Sequence, residues 1–238
     1  MLILAIETAT QSVGVALANE QGVVAHLEVR QGRRHAETVV PAVEQLLAHA
    51  EASMADITRI AVDVGPGLFT GLRVGVATAK AYALALDVPI VAISSLELVA
   101  YEVAPLLLHN AGNPGNSSLQ NRAVRFGCVI DARRKELYAA TFEASMVNGV
   151  IVCMQTSSTF VAKPSDVRES FSAAGISVVA GDGATVYPGA FDGFALVAGA
   201  PRASVLSERA LLVERIAADE IELDYVRAPD AEINWVTR

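Results

Sequence analysis

Two stretches of this chain, "LAIETATQSVGVAL" at residues 4–17 and "CVIDARRKELYAATF" at residues 128–142, follow one plan. Each is an apolar run that ends in an acid, passes through a polar turn and resumes as a second apolar run. Short apolar runs separated by polar turns read as hairpin strands. Two copies within 238 residues point to a duplicated domain in which each half opens with a hairpin.

After the first copy the pattern changes period. Residues 2–6, 13–17 and 23–29 read as a three-strand meander, with "NEQG" as one of its turns. Residues 35–50 then place Ala36, Val39, Val40, Val43, Leu46, Leu47 and Ala50 at helical spacing. A strand at 60–64, a helix at 71–86 and a strand at 90–93 follow. Meander, helix, strand, helix, strand is the ribonuclease-H-like order, in which helices bury the later strands. The expected fold is therefore α/β, with two ribonuclease-H-like lobes of the actin and sugar-kinase kind, mixed sheets flanked by helices.

In the second half a helix at 95–108 leads to "HNAGNPGNSSLQNR", a loop by composition whose "NSS" matches a glycosylation sequon. Strands follow at 124–130 and 137–142, with a hairpin at "VNGV", where Asn148-Gly149 suits a tight turn. A helix at 164–174, a strand at 177–180 and a long helix at 204–219 complete the reading. The expected domains are residues 1–100 and 101–203, with the helix at 204–220 packing back on the first.

Composition narrows the function. With 53% hydrophobic residues the chain can build real cores, and a formal charge of −8 argues against a sequence-independent polyanion binder. Cys128 and Cys153 lie in apolar runs and read as buried reduced thiols. The opening lacks a basic lead and meets Glu7 early, and no apolar stretch reaches the roughly 20 residues of a membrane span. A cytoplasmic protein without a membrane segment is expected.

Candidate sites divide into two sets. At the first hairpin tip, Glu7, Thr8, Thr10 and Ser12 could approach a metal–phosphate group, although Ser and Thr also favour ordinary turns. The opposing clamp in the second copy would use Asp131 and Arg133. There Arg133, Arg134 and Lys135 stand where glycine would let backbone amides reach a phosphate.

The turn "GPGLFTG" is neither G-x-x-x-x-G-K-[ST], since Leu72 occupies the lysine position, nor G-x-G-x-x-G. Thr70 reads as a helix N-cap. Gly71, Gly75, Ala79 and Ala83 recur every four residues as a stripe of small side chains. Interior glycines weaken a helix by about 1 kcal/mol each, so close approach of another backbone must offset them. That backbone belongs either to the same domain or to another subunit lying beside the helix at 35–50. None of the four histidines forms a metal-ligand pair and no G-x-S-x-G elbow is present, which demotes a zinc hydrolase and a serine hydrolase.

"ILAIETAT" with "SVGVAL", then "RHAE", "VDVGPGLFTGLRVGVATAKAYALALDVPIVAISSLE", "IDARRKELY" and "DYVR" before Pro229 together resemble the TsaB family, also called YeaZ. The resemblance implies two actin-like lobes and a part in making threonylcarbamoyladenosine at position 37 of tRNAs that read ANN codons. It implies a non-catalytic partner of TsaD, with TsaE and a TsaC-type enzyme in the pathway and tRNA met only through the complex. This chain would need no cofactor of its own, with ATP and metal on the partner subunits.

TsaD-like proteins carry an H-x-x-x-H metal pair; here His35 is followed four positions later by Val39, and no metal is expected. The segment at 109–122 is longer than the family pattern, and Glu7 stands where actin-like ATPases use Asp. The resemblance places pairing, with TsaD or in a homodimer, on the first two long helices. The expected interface residues are His35, Val39, Val43, Leu46, Gly71, Val74, Gly75, Thr78, Ala79 and Tyr82. The competing readings are an autonomous sugar-kinase-like ATPase and a glycoprotease-type peptidase.

Overall fold

The hairpin that opens the chain pairs β1 (Ile3–Glu7) with β2 (Ser12–Asn19) in antiparallel register, Glu7 opposite Gly14, and β3 (Gly22–Arg30) extends the meander. The computed structural model describes residues 1–30, 34–110, 123–214, 216–224 and 226. The polar segment at 111–122 and the end of the "DYVR" motif lie outside them.

Two compact units divide the chain. The first comprises Met1–Ser95 and the described residues from Pro201 onward; the second is Leu96–Ala200. In the first, α1 (His35–His49) precedes β4 (Arg59–Asp63), and α2 (Phe69–Leu86) precedes β5 (Ile90–Ile93). The sheet order is β3-β2-β1-β4-β5, with β4 and β5 parallel to β1.

The second unit repeats this topology. It takes in all of α3 (Ser95–Asn110) but the first residue, then β6 (Ala123–Arg133), β7 (Glu136–Val147) and β8 (Val150–Gln155) as an antiparallel meander, with β9 (Phe160–Ala162) also on β7. After α4 (Pro164–Ala173), β10 (Val178–Ala180) runs parallel to β6, and α5 (Asp182–Val186) and β11 (Ala195–Val197) follow. The order β11-β10-β6-β7-β8 is the first sheet read from its other end. The chain is an α/β protein with two mixed sheets flanked by helices, and both have the ribonuclease-H-like order.

Strand period fixes the two faces of the first sheet. Leu4, Ile6, Val13, Val15 and Leu17 pack with Val39, Val43, Leu46 and Leu47 of α1 and Val76, Ala79 and Ala83 of α2. At about 1.5–3 kcal/mol for a fully buried large aliphatic side chain, this cluster dominates the unit's stability. The opposite face carries Glu7 and Gly14 and is covered by α6 (Ala203–Arg209), whose Ala203 packs over Gly14.

Two sequence expectations need correction. Thr70 is not the N-cap of α2: the helix begins at Phe69 and Leu68 stands at the cap position with extended backbone. Its amide N–H donates to the Ala9 carbonyl at 2.7 Å, which ties the start of the helix to the first hairpin.

The last helix also ends early, at Arg209 rather than near 219. Ile216 instead exchanges backbone bonds with Ile90 (3.0 and 3.4 Å), which gives the edge of β5 a partner that a continued helix could not supply.

Candidate functional site

The tip of the first hairpin is held from below by the two helices. The Thr8 hydroxyl donates to the Gly71 carbonyl at 2.8 Å, and His35 Nε2 lies 2.8 Å from the Thr10 carbonyl. A carbonyl only accepts, so Nε2 carries the proton in this arrangement. Glu7 accepts the Ala9 N–H at 2.6 Å, and Thr10 Oγ1 accepts the Ser12 N–H at 3.2 Å. The Ser12 hydroxyl donates to Glu28 at 3.0 Å. Four candidate phosphate contacts are thus engaged inside the fold, and Glu7, Thr8 and Ser12 are buried.

The same contacts explain the glycines. A Cβ at Gly71 would overlap the Thr8 carbonyl oxygen, and one at Gly75 would overlap Thr8 Oγ1. Gly71 and Gly75 of the small-residue stripe face Thr8, just past β1 of their own unit, which corrects the expectation of a partner backbone against them. His35, Val39, Val43, Leu46, Gly71, Gly75 and Ala79 are all buried, while Val74, Thr78 and Tyr82 are half-buried. The spacing identified the tight contact correctly; the partner is Thr8.

Sequence reasoning missed Asp63, at the C-terminal end of β4 beside Glu7. Its Oδ1 accepts the Ser95 hydroxyl at 2.6 Å and the Gly65 N–H at 2.8 Å, while Oδ2 is buried without a hydrogen-bond partner. Burial pushes the Asp63 carboxyl up to about 7, against those two hydrogen bonds, and Asp224 adds repulsion. Burial likewise raises Glu7 well above the usual carboxylate range, with Asp63 reinforcing it.

The second unit repeats the pair. Asp131 ends the core of β6, and its N–H donates at 3.1 Å to Asp182, just past β10. Burial raises Asp182 as well. The legible signal was an apolar run closing on an acid beside glycine, in "IAVDVG" and "VVAGDG".

The polar atoms of Glu7, Thr8, Thr10 and Ser12 are engaged with groups of their own unit. Among the described residues no group of three or more His, Cys, Asp or Glu is placed to hold a metal ion. The crevice lined by Glu7, Gly14, His26, Glu28 and Arg202 measures about 20 Å³, room for one water. Asp131 is spent on Arg133, accepting its N–H at 3.0 Å and its guanidinium at 3.1 Å.

A family model described as "TsaD: tRNA N6-adenosine threonylcarbamoyltransferase" matches residues 17–153. The Escherichia coli tRNA threonylcarbamoyladenosine biosynthesis protein TsaB is 34% identical over 169 residues, 71% of this chain. The Bacillus subtilis protein of the same name is 42% identical over 100 residues, 42% of this chain.

The chain belongs to the TsaD-like family, in its TsaB (YeaZ) branch.

The matched stretches cover 65% and 44% of those two relatives' own length. The structure titled "YeaZ from Pseudomonas aeruginosa" superposes with a TM-score of 0.70 at 26% identity, over 92% of this chain and 96% of that one. A second structure, titled as an uncharacterized protein with similarity to peptidase YEAZ from the same organism, gives 0.75 at 26% identity, over 95% and 99%. The likeness to these two structures thus extends over the whole fold. No helix among the described residues is long and apolar enough to cross a membrane.

Proposed function

We propose that this chain is a non-catalytic subunit in the synthesis of threonylcarbamoyladenosine at position 37 of ANN-decoding tRNAs. It docks on a TsaD-class subunit that supplies the metal and the transfer chemistry; a TsaE-class ATPase and a TsaC-type enzyme act in the same pathway. The names of its relatives support the pathway, and the internally bonded hairpin tip supports the absence of catalysis by this chain.

The observation that carries the partnership is the outer face of α2. Arg73, Ala77, Ala81, Leu84 and Ala85 are exposed there, Leu84 at 72%, with Val74, Thr78 and Tyr82 half-buried between them. Val40 of α1 is 40% exposed. A helix that shows mostly small and apolar residues outward is suited to another helix, since short side chains let backbones approach. A TsaD-class helix pair fits this face, and a second copy of the chain could occupy the same surface in a homodimer.

Reconstitution tests the reading. The purified chain is mixed with a TsaD homologue, a TsaC-type enzyme, a TsaE homologue, tRNA, threonine, bicarbonate and ATP, and the modified nucleoside is measured with each component omitted in turn. Product that depends on this chain supports the proposal. Full product without it, or ATP turnover by the chain alone, overturns it.

A further inference from the structure

Two hairpins of the second sheet reverse through two-residue turns with positive φ at both turn positions, and they use opposite chemistry. Between β7 and β8 stand Asn148 (φ 51) and Gly149 (φ 80), the pair such a turn favours. Between β6 and β7 stand Arg134 (φ 54) and Lys135 (φ 62), preceded by Arg133 (φ 62). Three consecutive L-residues other than glycine in the left-handed region work against chain chirality. The turn geometry needs none of these cations, since the neighbouring hairpin achieves it with Asn-Gly. Left-handed strain that surrounding structure holds in place is a pointer to function.

The tip is braced for presentation. Asp131 accepts both the Arg133 N–H and its guanidinium, Tyr187 donates its hydroxyl to Asp131 at 3.4 Å, and Asp182 accepts the Asp131 N–H. The Asp131 side chain is 8% exposed, whereas Arg133, Arg134 and Lys135 are exposed. Asp131 offsets the charge of Arg133, which leaves Arg134 and Lys135 as two exposed cations at the tip, beside a half-buried tyrosine, in a chain of net charge −8.

We propose that this tip contacts the sugar–phosphate backbone of the RNA substrate; the inference rests on the function proposed above. A guanidinium binds phosphate oxygens in a bidentate fork, and an ammonium binds them as a point charge. Contacts of this kind position the RNA without reading its sequence. They are few enough that the chain needs the complex to hold RNA.

The test uses the full chain in complex with a TsaD homologue and an unmodified tRNA transcript, with affinity measured across a salt series. Arg134→Gln with Lys135→Gln should lower the slope of log K against log salt by about two, one for each phosphate that no longer meets a cation, and raise KM for tRNA more than it lowers kcat. Arg134→Asn with Lys135→Gly installs the favoured turn; it should raise the melting temperature of the isolated chain while weakening RNA binding to the same extent.

An unchanged slope in a mixture that still requires the wild-type chain overturns this inference and leaves the proposed function standing. A mixture that does not require the chain overturns the function, and the inference with it. If both variants instead lose calorimetric affinity for the TsaD homologue at an unchanged RNA slope, the tip is a protein contact and the inference is wrong.

Discussion

The Thr8 hydroxyl donates to the Gly71 carbonyl across 2.8 Å, joining the tip of the first hairpin to the first turns of α2. The bond is buried, and it exists because neither Gly71 nor Gly75 has a side chain to keep Thr8 away. A loop expected to face a phosphate is thereby turned into a packing contact.

The first prediction follows from that contact. Gly75→Leu should destabilise the isolated chain by at least the 1–3 kcal/mol typical of overpacking, because the new Cβ alone would overlap Thr8 Oγ1. The better helix propensity of Leu returns somewhat under about 1 kcal/mol and does not offset it. Urea denaturation measures the loss. A double-mutant cycle of Gly75→Ala with Thr8→Ala should show coupling, since removing Oγ1 makes room for the methyl. Additive effects would place the cost elsewhere.

The outer face of α2 supplies the second. Leu84→Asp and Ala81→Arg should weaken binding to a TsaD homologue at least tenfold, about 1.4 kcal/mol, with melting temperature within a few degrees of wild type. Both residues are exposed, and surface substitutions away from special features usually stay within about 0.5 kcal/mol. Titration calorimetry beside thermal melts separates the two quantities, and unchanged affinity in both variants would exclude this face.

A third concerns pH. The folded-state value of Asp63, about 7, lies above its ordinary 3.8, so the folded chain binds the proton more tightly than the unfolded one. The associated stability is fully present below about pH 4 and is lost as pH rises through 7; the raised Glu7 acts in the same direction. The chain should therefore unfold at lower urea at pH 8 than at pH 5. Asp63→Asn mimics the protonated acid and should flatten that dependence, while an unaltered slope would show that Asp63 is ionised in the fold.

His35 gives the fourth. His35→Ala would leave the Thr10 carbonyl without its buried donor, a loss of about 1–3 kcal/mol. Chelator treatment of the wild-type chain should leave its melting temperature unchanged, because Nε2 is engaged with a carbonyl. A chelator-induced drop of several degrees would assign this histidine to a metal.

Periodicity in the sequence determined the architecture. Strand alternation at residues 2–29, the helical spacing of Val39, Val43, Leu46 and Leu47, and the repeated hairpin at 128–142 each report which face must be buried, and burial is the dominant force in folding. Asn148-Gly149 announced its own turn because that conformation is a local property.

What only the tertiary structure decided is which surface meets which. The four-residue repeat of small side chains required a close neighbour but carried no label for it, and Thr8 is 63 residues away from Gly71. Helix propensity favoured continuing past Arg209, yet the edge of β5 took Ile216 as a backbone partner instead. Asp63 looked like an ordinary strand end until β1 brought Glu7 beside it. In each case the deciding interaction joins residues remote in sequence, and no local pattern encodes the free energy of a contact whose other half lies elsewhere in the chain.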